Sequence, residues 1–455
     1  MILSLLLIAL SQSAPVDLLI AGGTVVTMDR EMRVLEGASV AIRGERIEEI
    51  IPRGATLPVA KETIDATGQL VIPGLINTHG HVPMVLLRGL ADDMKLMDWL
   101  TKVIFPAEAK NVDADFCYWG TLLGSIEMAR SGTTTFTDMY YFEDEIAKAV
   151  DKVGLRAVLG QTIIGFPAPD YKTTQESLAA TEAFIKRYKS HPRVIPSSAP
   201  HGVYTTSIEV IRQARDLAVK YGVPFQIHAR ESPDEDAQVM ARFGKSTIAV
   251  LDEAGILGPG VILHHAVTVN ADDIKRIAAR GASTSHNPGS NLKVAAGVAP
   301  IPELQAAGVP VGLGTDGAAS NNSLDLFEEM MTAAKVNKVF RNDTTVMPAR
   351  EVFKMATIGG ARALGLADRI GSLEPGKLAD VAIVDPRVPE LTPLYDIYSA
   401  LVYTAKGSHV RTVIVGGQVV VRDRTMITVD ADDVMAHGRQ IQQKILKSLG
   451  RSATP

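Results

Sequence analysis

One cysteine, Cys117, stands among 455 residues. A single thiol forms no internal disulfide and no cysteine-rich metal site, so a metal centre in this chain must be built from histidine and carboxylate. Neither sign of charge is in large excess: 46 basic and 51 acidic residues give a formal net charge of −5. That balance offers no electrostatic case for nucleic acid or an anionic membrane as partner. Long apolar runs are absent as well. The compact run at residues 2–10 is too short to cross a bilayer, and no other stretch suits a membrane helix. Followed by Ser11-Gln12-Ser13-Ala14, it resembles the apolar region and small-residue cleavage site of a secretory signal, although no lysine or arginine precedes it. Residues 1–14 are therefore expected to be a signal peptide directing export; the alternative is a spare N-terminal strand on a cytoplasmic protein. Solenoid repeats and low-complexity tracts are also missing.

What is present alternates. The length suits one large α/β domain with a smaller partner. Residues 15–72 read as β: Leu18-Leu19-Ile20, Thr24-Val25-Val26, Ser39-Val40-Ala41-Ile42 and Leu70-Val71-Ile72 are punctuated by Gly22-Gly23, Gly44 and Gly68. From 73 to 370 short runs alternate with amphipathic helical stretches. The runs are Leu75-Ile76-Asn77, Thr133-Thr134-Thr135-Phe136, Arg156-Ala157-Val158-Leu159, Val194-Ile195-Pro196, Pro224-Phe225-Gln226-Ile227, Val261-Ile262-Leu263, Ala282-Ser283-Thr284 and Val309-Pro310-Val311-Gly312-Leu313. Eight such runs separated by helix-length segments predict a (β/α)₈ TIM barrel. Residues 371–429 return to β, with Asp380-Val381-Ala382-Ile383-Val384 and Thr412-Val413-Ile414-Val415. Residues 430–455 read as a terminal helix and tail. The two β-rich ends are expected to meet as one small β-sandwich beside the barrel.

Polar residues gather where the apolar runs stop. His79 and His81 follow the first run, His228 and Glu231 the fifth, His264 and His265 the sixth, and Asp316 the eighth. In a (β/α)₈ barrel the carboxyl ends of all strands converge on one face, so residues distant in sequence can share one ion. A lone histidine is more often a hydrogen-bonded core residue; this many strand-end histidines, in a chain holding only ten, argue otherwise. Residues i and i+2 of a strand point to the same side, so His79 and His81 can reach one ion, with Gly80 allowing close approach. Imidazoles plus a carboxylate around an open position suit a catalytic zinc, with non-haem Fe(II) second. His264 and His265 point to opposite faces of a regular strand, so only one looks inward.

These segments resemble the amidohydrolase superfamily, in its 5-methylthioadenosine/S-adenosylhomocysteine deaminase family. The resemblance is carried by Pro73-Gly74-Leu75-Ile76-Asn77-Thr78-His79-Gly80-His81, Ser198-Ala199-Pro200-His201, His228-Ala229-Arg230-Glu231, His286-Asn287-Pro288 with Ser290-Asn291-Leu292-Lys293, and Gly314 to Asn322. It implies a metallo-dependent hydrolase that releases ammonia from adenosine-type nucleosides, leaving the inosine-type product. It also implies one divalent metal ion per chain, held by His79, His81, His228 and Asp316, and a homo-oligomer. Glu231 would move a proton from the attacking water to the purine ring nitrogen. His265 would hydrogen-bond that water, leaving His264 to pack outward, and Asp316 would pass a proton to the leaving amine. Glu108 would bind ribose hydroxyls, His201 would contact substrate and Trp99 would form an aromatic wall. Without the resemblance, Glu108 reads as a surface helix carboxylate and Trp99 as barrel packing.

One departure concerns the arginine that often meets the homocysteine carboxylate in this family. Residues 165–190 offer Lys172, Lys186, Arg187 and Lys189, with no arginine in a matching place, which leaves 5-methylthioadenosine, 5-deoxyadenosine and adenosine open. Ring-opening two-metal amidases need a bridging lysine at the end of the fourth run, where Ser197-Ser198-Ala199-Pro200-His201 has none. Guanine deaminase and chlorotriazine hydrolase share the mononuclear pattern and remain alternatives. A non-catalytic binding protein on a barrel is another, although every ligand is kept. Zinc deaminases of the cysteine-pair type are excluded by the single cysteine.

Overall fold

Eight parallel strands close into a barrel: Leu75–Asn77, Thr133–Tyr140, Arg156–Ile163, Val194–Pro200, Phe225–Ala229, Val261–His265, Ser283–His286 and Val311–Leu313, in chain order around the ring. The structure is a computed structural model and describes residues 14–451. Apart from Ala14, the signal-like segment expected at 1–14 lies outside the described residues. Every position of Thr133–Tyr140 and Arg156–Ile163 is buried, as parallel strands covered on both faces require.

The covering helices start and stop on local signals. Thr173 and Asn270 open Thr174–Tyr188 and Ala271–Arg280 with capping boxes completed by Glu176 and Asp273. Gly222 and Gly281 end Ile208–Tyr221 and Ala271–Arg280 in the left-handed conformation, where glycine carries no Cβ penalty.

The two chain ends build one continuous nine-stranded sheet. Its seam is the antiparallel pairing of Leu70–Pro73 with Val381–Val384, from Val381 opposite Pro73 to Val384 opposite Leu70. Alternate residues along this seam serve different cores. Leu70, Ile72, Ala382 and Val384 join the barrel core, whereas Val71, Val381 and Ile383 join Leu18, Ile20, Val40 and Ile42 in a second core. Sheet and barrel are also tied by a buried ion pair. Arg156, at the start of the third barrel strand, donates from Nε and Nη2 to Asp380 at 3.2 Å each. Asp380 also accepts the Gly416 N–H at 2.7 Å. The terminal helix Ala431–Ser448 packs on Ala114–Arg130, with Trp119 stacked on His437 at 3.6 Å. No helix among the described residues is long and apolar enough to cross a membrane.

Candidate metal centre and cavity

The carboxyl ends of the barrel strands bring His79, His81, His228, His265 and Asp316 together. The ligand atoms of His79, His81 and Asp316 lie within 4.8 Å of one another, as do those of His79, His228 and His265. Asp316 Oδ1 is 3.3 Å from the Nε2 of both His79 and His81. His81 Nε2 in turn is 3.3 Å from His228 Nε2.

Hydrogen bonds to carbonyls set the tautomers. His81 Nδ1 donates to the Met139 carbonyl at 2.6 Å and His228 Nδ1 to the His201 carbonyl at 2.8 Å. A carbonyl only accepts, so each proton is on Nδ1. Burial pushes both imidazoles below their ordinary pKa, so each is neutral and its Nε2 is a bare lone pair. Two such lone pairs 3.3 Å apart, beside a carboxylate, have no proton to share. His79 is fully buried, its pKa pushed down to about 3 chiefly by burial, and neither ring nitrogen has an aligned hydrogen-bond partner. Neutral imidazoles with orphaned nitrogens and an ionised carboxylate are the donor set a divalent cation satisfies. Asp316 supplies that carboxylate. Burial pushes its pKa up, but the His79 imidazole beside it holds it well below the usual range.

The residues behind the ligands fix their direction. Ser290 and Ser320 donate to Asp316 Oδ2 at 2.7 and 2.9 Å, and the Gly317 N–H donates to Oδ1 at 2.8 Å. Asn291 Oδ1 accepts from His265 Nδ1 at 2.9 Å, leaving His265 Nε2 without a partner. Glu231 Oε1 is 3.8 Å from that Nε2, too far for a direct hydrogen bond, so both are free to meet a third atom. Burial raises the Glu231 pKa. Tyr204 donates to its other oxygen at 3.3 Å.

Both histidines of the sixth strand face inward, which corrects the expectation that His264 packs outward. His264 stacks on His79 with ring centroids 3.9 Å apart, and its Nε2 lies 3.3 Å from Gln226 Oε1. Gln226 is two residues before His228 and shares its side of the fifth strand. Regular alternation fails because His265 and Ala266 take φ of +76° and +50°. His265 thereby turns inward directly after an inward His264.

Beside the cluster lies a cavity of about 60 Å³. His81, His228, Glu231 and Asp316 form its floor with Ser290 and Ser320, while His201, Trp99 and Glu108 line it with Tyr140 and Tyr204. Trp99 and Glu108 are buried, so Glu108 is no surface carboxylate. Tyr140 donates to Glu108 Oε1 at 2.6 Å, and burial outweighs that bond to push the Glu108 pKa up to about 7. His201 Nδ1 lies 2.9 Å from Thr205 Oγ1.

Sequence reasoning assigned no role to Tyr140, Tyr204, Ser290, Asn291, Ser320 or Glu235. Tyr140 and Tyr204 carry no spacing signal. Ser320 sits one helical turn beyond Asp316, a spacing that could have flagged it. Ser232-Pro233-Asp234-Glu235 matches a capping box, and Ser232 does accept the Glu235 N–H at 3.2 Å. Instead of closing that box, the Glu235 carboxylate reaches the backbone of Arg230 and Glu231.

Residues 70–420 match the amidohydrolase family model. A 5-methylthioadenosine/S-adenosylhomocysteine deaminase of Syntrophobacter fumaroxidans is 46% identical over 435 residues, covering 95% of this chain and 99% of that protein. An adenosine deaminase structure from Xanthomonas campestris with bound zinc superposes with a TM-score of 0.92 at 37% identity, covering 95% and 99% of the two chains. An atrazine chlorohydrolase from Arthrobacter aurescens, complexed with zinc, gives a TM-score of 0.88 at 25% identity, covering 93% and 100%.

Proposed function

From the premise that the chain belongs to the amidohydrolase family, we propose that it is a metal-dependent deaminase of adenosine-type nucleosides, releasing ammonia. The observation that carries the reading is the shared cavity. It places buried Glu108, with one oxygen not taken by Tyr140, in the same enclosure as Glu231 and Asp316. A deaminase of the free base has no use for the first carboxylate. A nucleoside deaminase has use for all three.

His79, His81, His228 and Asp316 would hold one divalent ion, zinc by their chemistry. Bound there, such an ion supplies Lewis acidity that makes water a competent nucleophile near neutral pH. Glu231 takes the proton of the attacking water and delivers it to the purine ring nitrogen. Its raised pKa suits a group that must both accept and release. His265, held by Asn291, offers a bare Nε2 that accepts a hydrogen bond from the same water. Asp316, its Oδ2 fixed by Ser290 and Ser320, takes the second proton and passes it to the departing amine. Ammonia leaves an amidine-like carbon poorly unless both nitrogens are protonated, which is why two carboxylates are needed. Glu108 accepts hydrogen bonds from the ribose hydroxyls, His201 contacts the substrate and Trp99 walls the base.

The names of its relatives support this reading: an adenosine deaminase and a 5-methylthioadenosine/S-adenosylhomocysteine deaminase. Ammonia release from adenosine, 5-methylthioadenosine, guanine and a chlorotriazine tests it. Preference for guanine or the chlorotriazine would leave only the metal-hydrolase part standing. On the same resemblance the chain acts as a homo-oligomer; a monomer by light scattering at working concentration would remove that part.

A further inference from the structure

Among the described residues, no lysine or arginine lines the cavity wall. The cations between residues 172 and 189 have other neighbours, and Lys102, between the lining residues Leu100 and Ile104, pairs with Asp98 at 2.8 Å. Lys172 donates to the Ala168 and Pro169 carbonyls at 2.7 and 3.3 Å. Lys186 pairs with Glu182 at 3.3 Å, Arg187 with Asp144, and Lys189 lies 5.9 Å from the centre of the Tyr221 ring. Part of the lining is instead apolar, from Leu96, Leu100, Ile104 and Phe105. Phe105 meets Phe166 edge-on with ring centroids 5.3 Å apart, and Phe166 is 39% exposed. Apolar surface therefore continues from the cavity to the exterior.

Resting on the nucleoside reading above, we propose that the site selects nucleosides whose 5 substituent is small, uncharged and apolar, of the alkylthio type, over those with an amino-acid tail, and that this substituent runs along the Phe105–Phe166 collar. Among the described residues that line the cavity, none is a lysine or arginine that could pair with an α-carboxylate. The tail would shed water from both of its charges against apolar surface, with nothing to replace the lost hydrogen bonds of the carboxylate. An alkylthio group gives up no polar hydration and gains apolar burial.

The experiment compares kcat/KM for adenosine, 5-methylthioadenosine and S-adenosylhomocysteine in the metal-loaded protein and in Phe166→Arg. The expected result is 5-methylthioadenosine over S-adenosylhomocysteine by at least about tenfold. Phe166→Arg, a change at a half-exposed position, is expected to narrow that ratio several-fold by improving use of the charged tail. Equal or better use of S-adenosylhomocysteine by the unaltered protein overturns the selectivity and leaves the nucleoside reading intact. An unchanged ratio in Phe166→Arg overturns the path along the collar. Failure to deaminate any of the three nucleosides overturns the parent reading and this inference with it.

Discussion

Glu235 Oε2 accepts the backbone N–H of Glu231 at 2.6 Å, and its Oε1 accepts that of Arg230 at 3.1 Å. Thr247 steadies the same carboxylate at 2.7 Å. Arg230 sits at φ +60°, a conformation that costs a residue with a side chain about 1–2 kcal/mol. Glu235 thus holds open the turn that aims Glu231 into the cavity. Glu235→Ala is expected to lower kcat about a hundredfold, since misplacing a reacting group by about 1 Å has that effect. Metal content should stay intact, and Glu235→Gln, which keeps one acceptor, should recover part of the loss. Steady-state kinetics with metal analysis check it; an unchanged kcat in Glu235→Ala would show that Glu231 finds its own position.

Glu231→Gln should keep the metal and lose turnover. Glu231 adjoins the cluster without needing to belong to it, and losing general acid–base help typically costs about 10²–10⁴-fold. Wild-type turnover in this variant would make Glu231 a structural residue.

Metal content should be near one equivalent per chain, because His81 and His228 converge on the same space as His79 and Asp316. Chelation should abolish activity and lower Tm. A ligand present at a thousand times its Kd stabilises by about 4 kcal/mol, and removing it also leaves facing lone pairs uncompensated. Elemental analysis and thermal melts read both. Two equivalents, with activity following the second, would contradict a mononuclear centre.

The barrel strands were legible because burial on both faces writes them as short apolar runs. The site was legible because its polar residues stand where those runs end, as at Asn77 to His81 and Ala229 to Glu231. What was not legible depends on backbone irregularity and on contacts across the barrel. The inward turn of His264 together with His265 follows from left-handed φ at His265 and Ala266, which strand periodicity does not encode. Glu235 has the sequence of a helix cap but acts four to five residues earlier through its carboxylate. Tyr140 reaches Glu108 across 32 residues, and no local pattern announces it.

The Arg156–Asp380 pair makes a stability prediction. Both side chains are 3% exposed, so removing one partner leaves the other charged and buried. Asp380→Asn or Arg156→Met should each destabilise by about 3–5 kcal/mol, and the double replacement by less than the sum. Denaturant unfolding measures this. A loss near zero in either single variant would mean water replaces the missing partner.

Glu108 should set both the demand for ribose and its pH dependence. One ionised carboxylate can accept hydrogen bonds from the adjacent 2- and 3-hydroxyls, and a substrate lacking them leaves a desolvated acceptor unpaired. Adenosine should therefore exceed free adenine and 2,3-dideoxyadenosine in kcat/KM by at least roughly tenfold, or about 1.4 kcal/mol. Burial raises the Glu108 pKa to about 7 in spite of the Tyr140 hydrogen bond. A carboxyl whose folded pKa lies above its unfolded value favours the folded state while protonated. That contribution is complete below the ordinary carboxylate range and is lost as pH rises through about 7. Ribose recognition runs the other way, because only the ionised form accepts from both hydroxyls. KM for adenosine should fall as pH rises through about 7, with no matching step for adenine. Glu108→Gln, neutral at every pH, should flatten that step and shrink the adenosine-to-adenine ratio while metal content stays unchanged. KM profiles for the two substrates in wild type and variant test this directly. Parallel profiles, or equal use of adenine and adenosine, would remove Glu108 from ribose recognition.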